Sequence, residues 1–218
     1  MQLPRRFYRE ARFFLNRKNI LTPPDEPVFD AETNAFFNER IRSTKVYLEY
    51  GAGGATLIAA SHAELVVSVE SDSHYRELVR GMVSERDCKA EVNVLHGAIG
   101  PTGPWGAPLF RVGNTALSGS NYVLAPWRAL ARCNRKADFV LIDGRYRVAC
   151  LLTGILDPLG AEACYLFDDF RGRDYYHPVL AFTEIVERAG RSVVLRRKNE
   201  LDEAACQALR SKSMHDWR

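Results

Sequence analysis

Apolar positions along the chain follow two periods that alternate. Short, nearly continuous apolar runs predict strands at 45–50 (KVYLEY), 65–70 (LVVSVE), 91–96 (EVNVLH), 137–143 (ADFVLID), 162–168 (EACYLFD) and 192–196 (SVVLR). Between them apolar residues return every third or fourth position, predicting helices near 55–62, 73–86, 122–134, 145–156 and 175–189. A parallel neighbour requires a crossover, so strands alternating with helices predict an α/β fold with a doubly wound, mostly parallel sheet. Upstream, Phe36, Phe37 and Ile41 fall at helical spacing behind Asp30 as a cap, giving a helix over 31–43. Leu201, Ala204, Ala205, Ala208 and Leu209 predict another helix in the tail.

The pattern lapses twice. The stretch LTPPDEPVFD carries three prolines and predicts an extended connector. Residues 97–121 are rich in Gly and Pro without a period, and a loop of that length inside a compact domain is usually functional or disordered. It follows the third strand, which puts it at the carboxyl edge of the sheet, where open α/β folds bind ligands. The expected organisation is an N-terminal basic and helical extension over 1–43 and a single main domain over 44–218.

Composition alters this picture little. With 218 residues, 46% hydrophobic and 26% charged, the chain suits one domain with a sizeable core. No apolar run approaches the ~20 residues of a membrane helix and the first residues lack a secretory core, so a cytoplasmic protein is expected. Five scattered cysteines suggest neither a zinc site nor a redox pair. A net charge of +3 hides a local basic arm, Arg5, Arg6, Arg9, Arg12, Arg17 and Lys18 against Glu10, interleaved with Phe7, Tyr8, Phe13 and Phe14. Such an arm fits a terminal helix packed on the domain with its charges in water, or else an amphipathic helix touching an anionic substrate, nucleic acid or a membrane surface. It carries no firm nucleic-acid signal, and the oligomeric state is open, a homodimer included.

The chemistry concentrates in YLEYGAGGATL. A dinucleotide fingerprint G-x-G-x-x-G fits at Gly51 and Gly53 and fails at Thr56. Glu70, 19 residues after Gly51, suits a ribose in that reading and in others. Glu49 discriminates, because a carboxylate at the tip of the first strand repels a pyrophosphate and favours a cationic ligand. S-adenosylmethionine has an ammonium, a sulfonium and a ribose diol without phosphate. Gly51, Ala52 and Gly53 would let the backbone approach it closely, and Glu70, with Ser71 beside it, would accept the ribose hydroxyls.

The ordered set LEYGAGGAT, VVSVES, LHGAIG, FVLIDGRYR and YLFDDF resembles the class I S-adenosylmethionine-dependent methyltransferases, most closely a subgroup whose fourth strand ends in Ile-Asp-Gly and fifth in Asp-Asp-aromatic. The resemblance implies a Rossmann-like domain that binds the cofactor through Glu49, Gly51, Ala52, Gly53, Glu70, Ser71 and a turn at Gly97–Ala98, with Asp143 between donor and acceptor. Metal-dependent O-methyltransferases share this architecture. By that likeness Asp143, Asp168 and Asp169 would hold Mg²⁺ or a similar divalent cation, and Tyr146 stands where those enzymes carry a lysine base. A tyrosine with an ordinary pKa of ~10 serves there only if a cation such as Arg145 or Arg147 lowers it. The alternative is that Asp168 and Asp169 cap the next loop or pair with Arg171 and Arg173, while Asp143 orients cofactor or substrate directly.

Three departures from the family pattern stand out. The subgroup's Asp-Gly-Asp-His-x-Tyr reads Asp143-Gly144-Arg145-Tyr146-Arg147 here, the loop's third glycine is Ala55, and the customary antiparallel final strand pair is not evident. Two rivals therefore stand beside methyl transfer to an unidentified small molecule: an NAD-type oxidoreductase and a non-catalytic binding protein on the same fold. Basic residues near the expected mouth, the arm and Arg171–Arg173, point to an anionic or sugar-like acceptor. Trp105, Tyr122 and Trp127 are either an aromatic lid or core anchors. His96 alone among the histidines falls near the cofactor edge.

Overall fold

The computed structural model describes residues 22–218, and the expectations placed on the basic arm lie outside them. Helix α1 (Ala31–Ile41) leads into β1 (Val46–Tyr50), α2 (Gly54–His62), β2 (Leu65–Glu70), α3 (Ser73–Ser84) and β3 (Glu91–His96). A 3-10 turn at Pro104–Gly106 and a ribbon of β4 (Arg111–Val112) with β5 (Thr115–Ala116) precede α4 (Ser120–Cys133), β6 (Phe139–Ile142), α5 (Arg147–Leu156) and β7 (Cys164–Phe167). Then follow 3-10 turns over Asp174–Ala181, β8 (Thr183–Ala189), β9 (Ser192–Arg197) and α6 (Glu203–Ser213).

Seven strands form one sheet in the order β3-β2-β1-β6-β7-β9-β8. The first five of that order are parallel, while β9 runs antiparallel to both β7 and β8. The chain winds outward from β1 to β3 and then returns past β1 to β6. A crevice opens at such a reversal, because the crossovers on its two sides leave in opposite directions.

Period-two alternation along β1 serves both faces of the sheet. Leu48 and Tyr50 pack with Val123 and Trp127 of α4 and Leu151 of α5, whereas Tyr47 packs with Phe37 and Ile41 of α1, Ala55 and Ala59 of α2, and Phe139. The Phe37, Tyr47 and Phe139 rings lie 5.7–5.9 Å apart, and aromatic pairs of this kind add about 0.5–1.5 kcal/mol each beyond the area they bury. Strands buried on both faces carry almost no polar residue, which is why these runs are legible.

The expected helix over 175–189 is replaced by the 3-10 turns and β8. Glu184, Glu187 and Arg188 favour a helix by propensity, but they sit exposed on an edge strand whose ladder with β9 decides the backbone. The antiparallel final pair that the sequence conceals is thus β8–β9, and the tail beyond 199 is helical as expected. The periodless stretch 97–121 is folded too. Ala116 and Gly119 donate backbone hydrogen bonds to His215 (2.9 Å) and Met214 (2.8 Å).

Two contacts shape the region beyond β1. The proline-rich connector crosses the start of α2 so closely that a Cβ on Gly54 would strike the Glu26 carbonyl. Glu49, fully buried on the α2 side of β1, accepts from the Tyr47 hydroxyl at 2.9 Å and from the Thr56 hydroxyl, and Thr56 Oγ1 in turn accepts from Gly53 N at 2.9 Å. This chain of bonds fixes the glycine turn on the strand.

Burial pushes the Glu49 carboxyl up from its ordinary 4.5 to about 7, against the hydrogen bonds from Thr56 and Tyr47. The unfolded chain therefore loses this proton first as pH rises, and the stability Glu49 contributes falls between its ordinary pKa and about 7. A shift of that size corresponds to roughly 3 kcal/mol. Glu49→Gln, isosteric and neutral, is expected to match the wild type at acid pH and to exceed it in thermal midpoint above neutrality. Melting curves across the window check this, and parallel pH profiles in the two proteins would refute it.

Candidate active site

A cavity of about 530 Å³ opens at the carboxyl ends of β1, β2 and β6, within the ~300–1,000 Å³ range of small-molecule sites. Its walls are the turns Gly51–Ala55, Glu70–Asp72 and Asp143–Arg145, with Tyr75, Tyr122, the Gly103–Gly106 segment and the connector at Pro27–Phe29. Gly51 has φ +97°, and a Cβ there would stand 3.2 Å from Gly144 Cα and 3.3 Å from the Asp143 carbonyl. Only a glycine lets the turn after β1 rest on the turn after β6.

Glu70 ends β2 with its side chain nearly buried and facing the cavity. Its Oε1 accepts from Asp72 N at 2.8 Å and Ser71 Oγ at 3.1 Å, while Oε2 makes no hydrogen bond among the described residues. One oxygen is therefore held and the other is left for a ligand. Burial pushes this carboxyl above its ordinary range, against the Asp72 and Ser71 hydrogen bonds. Ser71 Oγ also lies 3.1 Å from Gly106 O, and Thr102 donates to Asp72 Oδ2 at 2.9 Å, so the 102–106 segment is stitched over this turn.

That segment occupies the position expected for Gly97–Ala98, which do not line the cavity. Gly97 is buried against Tyr122 and Val69, and Ala98 is exposed. His96 Nε2 lies 3.3 Å from Ser71 O and does not reach the cavity either. Glu49, expected to face a cationic ligand, stands behind the wall with both oxygens engaged, so it shapes the turn instead of touching a ligand.

Asp143 does line the cavity. Its Oδ1 accepts from Arg147 Nη2 at 2.9 Å, and the same buried guanidinium donates to the carbonyls of Gly144 (3.1 Å), Asp143 (3.2 Å) and Asp168 (2.6 Å). Burial pushes the Asp143 carboxyl up; Arg147 opposes the shift, and the neighbouring Asp168 charge adds to it.

The three carboxylates expected to share a metal ion are instead each bound to guanidinium groups. Asp168 is 1% exposed and takes both Arg191 Nε and Nη2 at 3.1 Å and Ser192 Oγ at 2.6 Å. Burial works to raise its pKa, yet the Arg191 and Ser192 hydrogen bonds hold it below the ordinary value. Asp169 pairs with Arg173 at 2.6 Å and Arg191 at 2.9 Å. Among the described residues no group of three or more His, Cys, Asp or Glu side chains is arranged to hold a metal ion. The donor set does not fit Mg²⁺, which needs oxygens free to turn toward it.

Tyr146 is also misplaced as a base. It adopts φ +55° at the head of α5, which turns its ring into the interior, where the hydroxyl donates to Leu117 O at 2.9 Å and burial pushes the phenol up to about 12. Trp127 and Tyr122 are core anchors, Trp127 Nε1 donating to Tyr50 Oη at 2.7 Å, whereas Trp105 stands at the rim, 85% exposed. Sequence reasoning passed over Arg191 because it lies on the β8–β9 turn, far along the chain from Asp168. The only signal for Arg147 was its place four residues after Asp143.

No helix among the described residues is long and apolar enough to cross a membrane. No protein-family model and no curated protein sequence matches the chain. Solved structures do. A methyltransferase-like protein from Silicibacter pomeroyi is 28% identical, with 89% of this chain and 98% of that one covered and a TM-score of 0.72. An SAH-bound methyltransferase from Podospora anserina, 13% identical with 91% and 98% covered at a TM-score of 0.52, shares the fold. The likeness runs over nearly the whole of both chains, and the strand order with its one reversed member brings a glycine turn and an acidic strand end to the same crevice, so the chain has the Rossmann-like fold of these methyltransferases.

Proposed function

We propose that the protein transfers the methyl group of S-adenosylmethionine to a small-molecule acceptor bound in the same cavity. The observation that carries this reading is Glu70, lining the cavity beside the glycine turn, whose Oε2 has no hydrogen-bond partner among the described residues. A carboxylate with one oxygen pinned and the other free suits the vicinal hydroxyls of a ribose. The turn at Gly51–Gly53 offers backbone groups with no side chain in the way, and Asp143 presents negative charge at the neighbouring strand end. When bound, the cofactor supplies a methyl group already activated on a sulfonium. The residues around it are left to align the acceptor and exclude water, a contribution of ~7–11 kcal/mol in favourable intramolecular cases.

The dinucleotide alternative meets an obstacle at α2. A pyrophosphate would sit on that helix N-terminus, but the connector at Glu26 covers Gly54, and the Gly53 N–H is taken by Thr56. Asp143 stands between the donor and acceptor halves in the proposed reading, and its partner Arg147 is a positioning residue for it.

Calorimetric titration tests the reading. S-adenosylmethionine and S-adenosylhomocysteine are expected to bind in the micromolar range and NAD not to bind, with Glu70→Ala weakening the adenosyl ligands about tenfold or more. Binding of NAD without response to the adenosyl ligands would overturn it.

The arginine-bound acids generate a second expectation. Millimolar Mg²⁺ or a chelator should leave both the thermal midpoint and cofactor affinity unchanged. Asp168→Ala should lower stability by roughly 2 kcal/mol or more through the loss of the Arg191 and Ser192 bonds. A midpoint raised by Mg²⁺ in the wild type and not in Asp168→Ala would restore the metal.

A further inference from the structure

One charged group on the cavity wall lacks an ion-pair partner among the described residues. Arg145 follows Asp143 and Gly144 at the end of β6 and lines the cavity. Four other arginines are matched with acids: Arg147 with Asp143, Arg173 with Asp169, Arg191 with Asp168 and Arg218 with Asp216. Arg145 has no ion-pair partner among the described residues. Its Nε donates to Trp105 O at 3.0 Å, and its Cζ lies 5.7 Å from the centre of the Trp217 ring, which Arg111 approaches to 4.8 Å. The two terminal nitrogens make no hydrogen bond to any described residue.

A half-buried guanidinium without an ion-pair partner is costly: burial and then the nearby Arg147 charge lower its pKa, against the opposing pull of Tyr122 and Asp143. An oxyanion placed on the free fork would relieve both effects through two parallel charged hydrogen bonds. The single bond to Trp105 O holds Nε and so aims the fork. Trp105 itself stands exposed on the same rim and offers a flat apolar surface to whatever the fork binds.

Resting on the methyltransferase reading, we propose that Arg145 is the anion-binding residue of the acceptor subsite, and that the acceptor is a small planar molecule carrying a carboxylate or phosphate. The same fork chemistry would suit the carboxylate of the cofactor's own amino-acid part, so the test separates the two sources.

Protein saturated with S-adenosylhomocysteine is titrated with benzoate, phenyl phosphate and neutral benzamide. The two anions are expected to bind about tenfold or more tightly than benzamide, and Arg145→Gln to lose that margin while its S-adenosylhomocysteine affinity stays within about twofold. Arg145→Lys, which keeps the charge without the fork, should fall between them and guards against a folding defect in the first variant. Anions bound no better than benzamide, no anion binding, or unchanged anion binding in Arg145→Gln would overturn the proposal. So would a loss in Arg145→Gln of affinity for S-adenosylhomocysteine but not for methylthioadenosine, which lacks the carboxylate. A wild-type protein that fails to bind S-adenosylhomocysteine refutes the methyltransferase reading and the subsite with it. Cofactor binding without anion preference refutes the subsite alone.

Discussion

The turns after β1 and β6 touch backbone to backbone, and the active-site crevice depends on that contact. Parallel pairing continues one residue past each strand, with Gly51 N donating to Val69 O at 2.9 Å and Asp143 N to Tyr50 O at 3.2 Å. Three strand ends are therefore level where the winding reverses. Any side chain at 51 would pry the first turn from the third, strained by its φ as well as by the missing space. With the turns in contact, Glu70 and Asp143 become walls of one cavity although they are far apart in the chain.

Two further devices keep the crevice in shape, and neither touches a ligand. Glu49 ties β1 to the first turn of α2 through Thr56 and Gly53. On the other side, Asp30 accepts from Arg191 N at 2.7 Å, and Arg191 in turn donates to Val28 O and holds Asp168. The connector that roofs the cavity is thereby fastened to the β8–β9 turn. An Asp-Asp strand end thus acts as an anchor for distant backbone, which explains why it is acidic without being a metal site.

What the sequence made legible follows from these physical differences. Strands enclosed on both faces announce themselves as apolar runs, so β1, β2, β6 and β7 fall where expected; β8 did not, because an edge strand with charged residues resembles a helix face. Gly51 and Glu70 do line the cavity, as their positions alone implied, since backbone approach and strand-end placement follow from order along the chain. Glu49 failed because chemistry was assigned without parity: it shares a face with Tyr47, whose ring lies in the helix-covered core. Tyr146 failed because a left-handed residue turned its ring inward, and no periodicity reports a single dihedral.

Charge accounts for the rest. Three carboxylates at the ends of β6 and β7 invite a cation, and the fold supplies it in the guanidinium groups of Arg147, Arg173 and Arg191. Those acids and arginines cancel in number, leaving the positive charge of Arg145 unmatched on the cavity wall. In the proposed reaction a cationic donor loses its charge as the methyl group leaves, so an acceptor that arrives as an anion would meet opposite charge at the donor and at Arg145 alike. Attraction of that kind is stronger in a partly dry cleft than in water. On this reading the protein draws its acceptor in by electrostatics and needs no metal to do so, and the arginines that displaced the expected ion are what leave room for it.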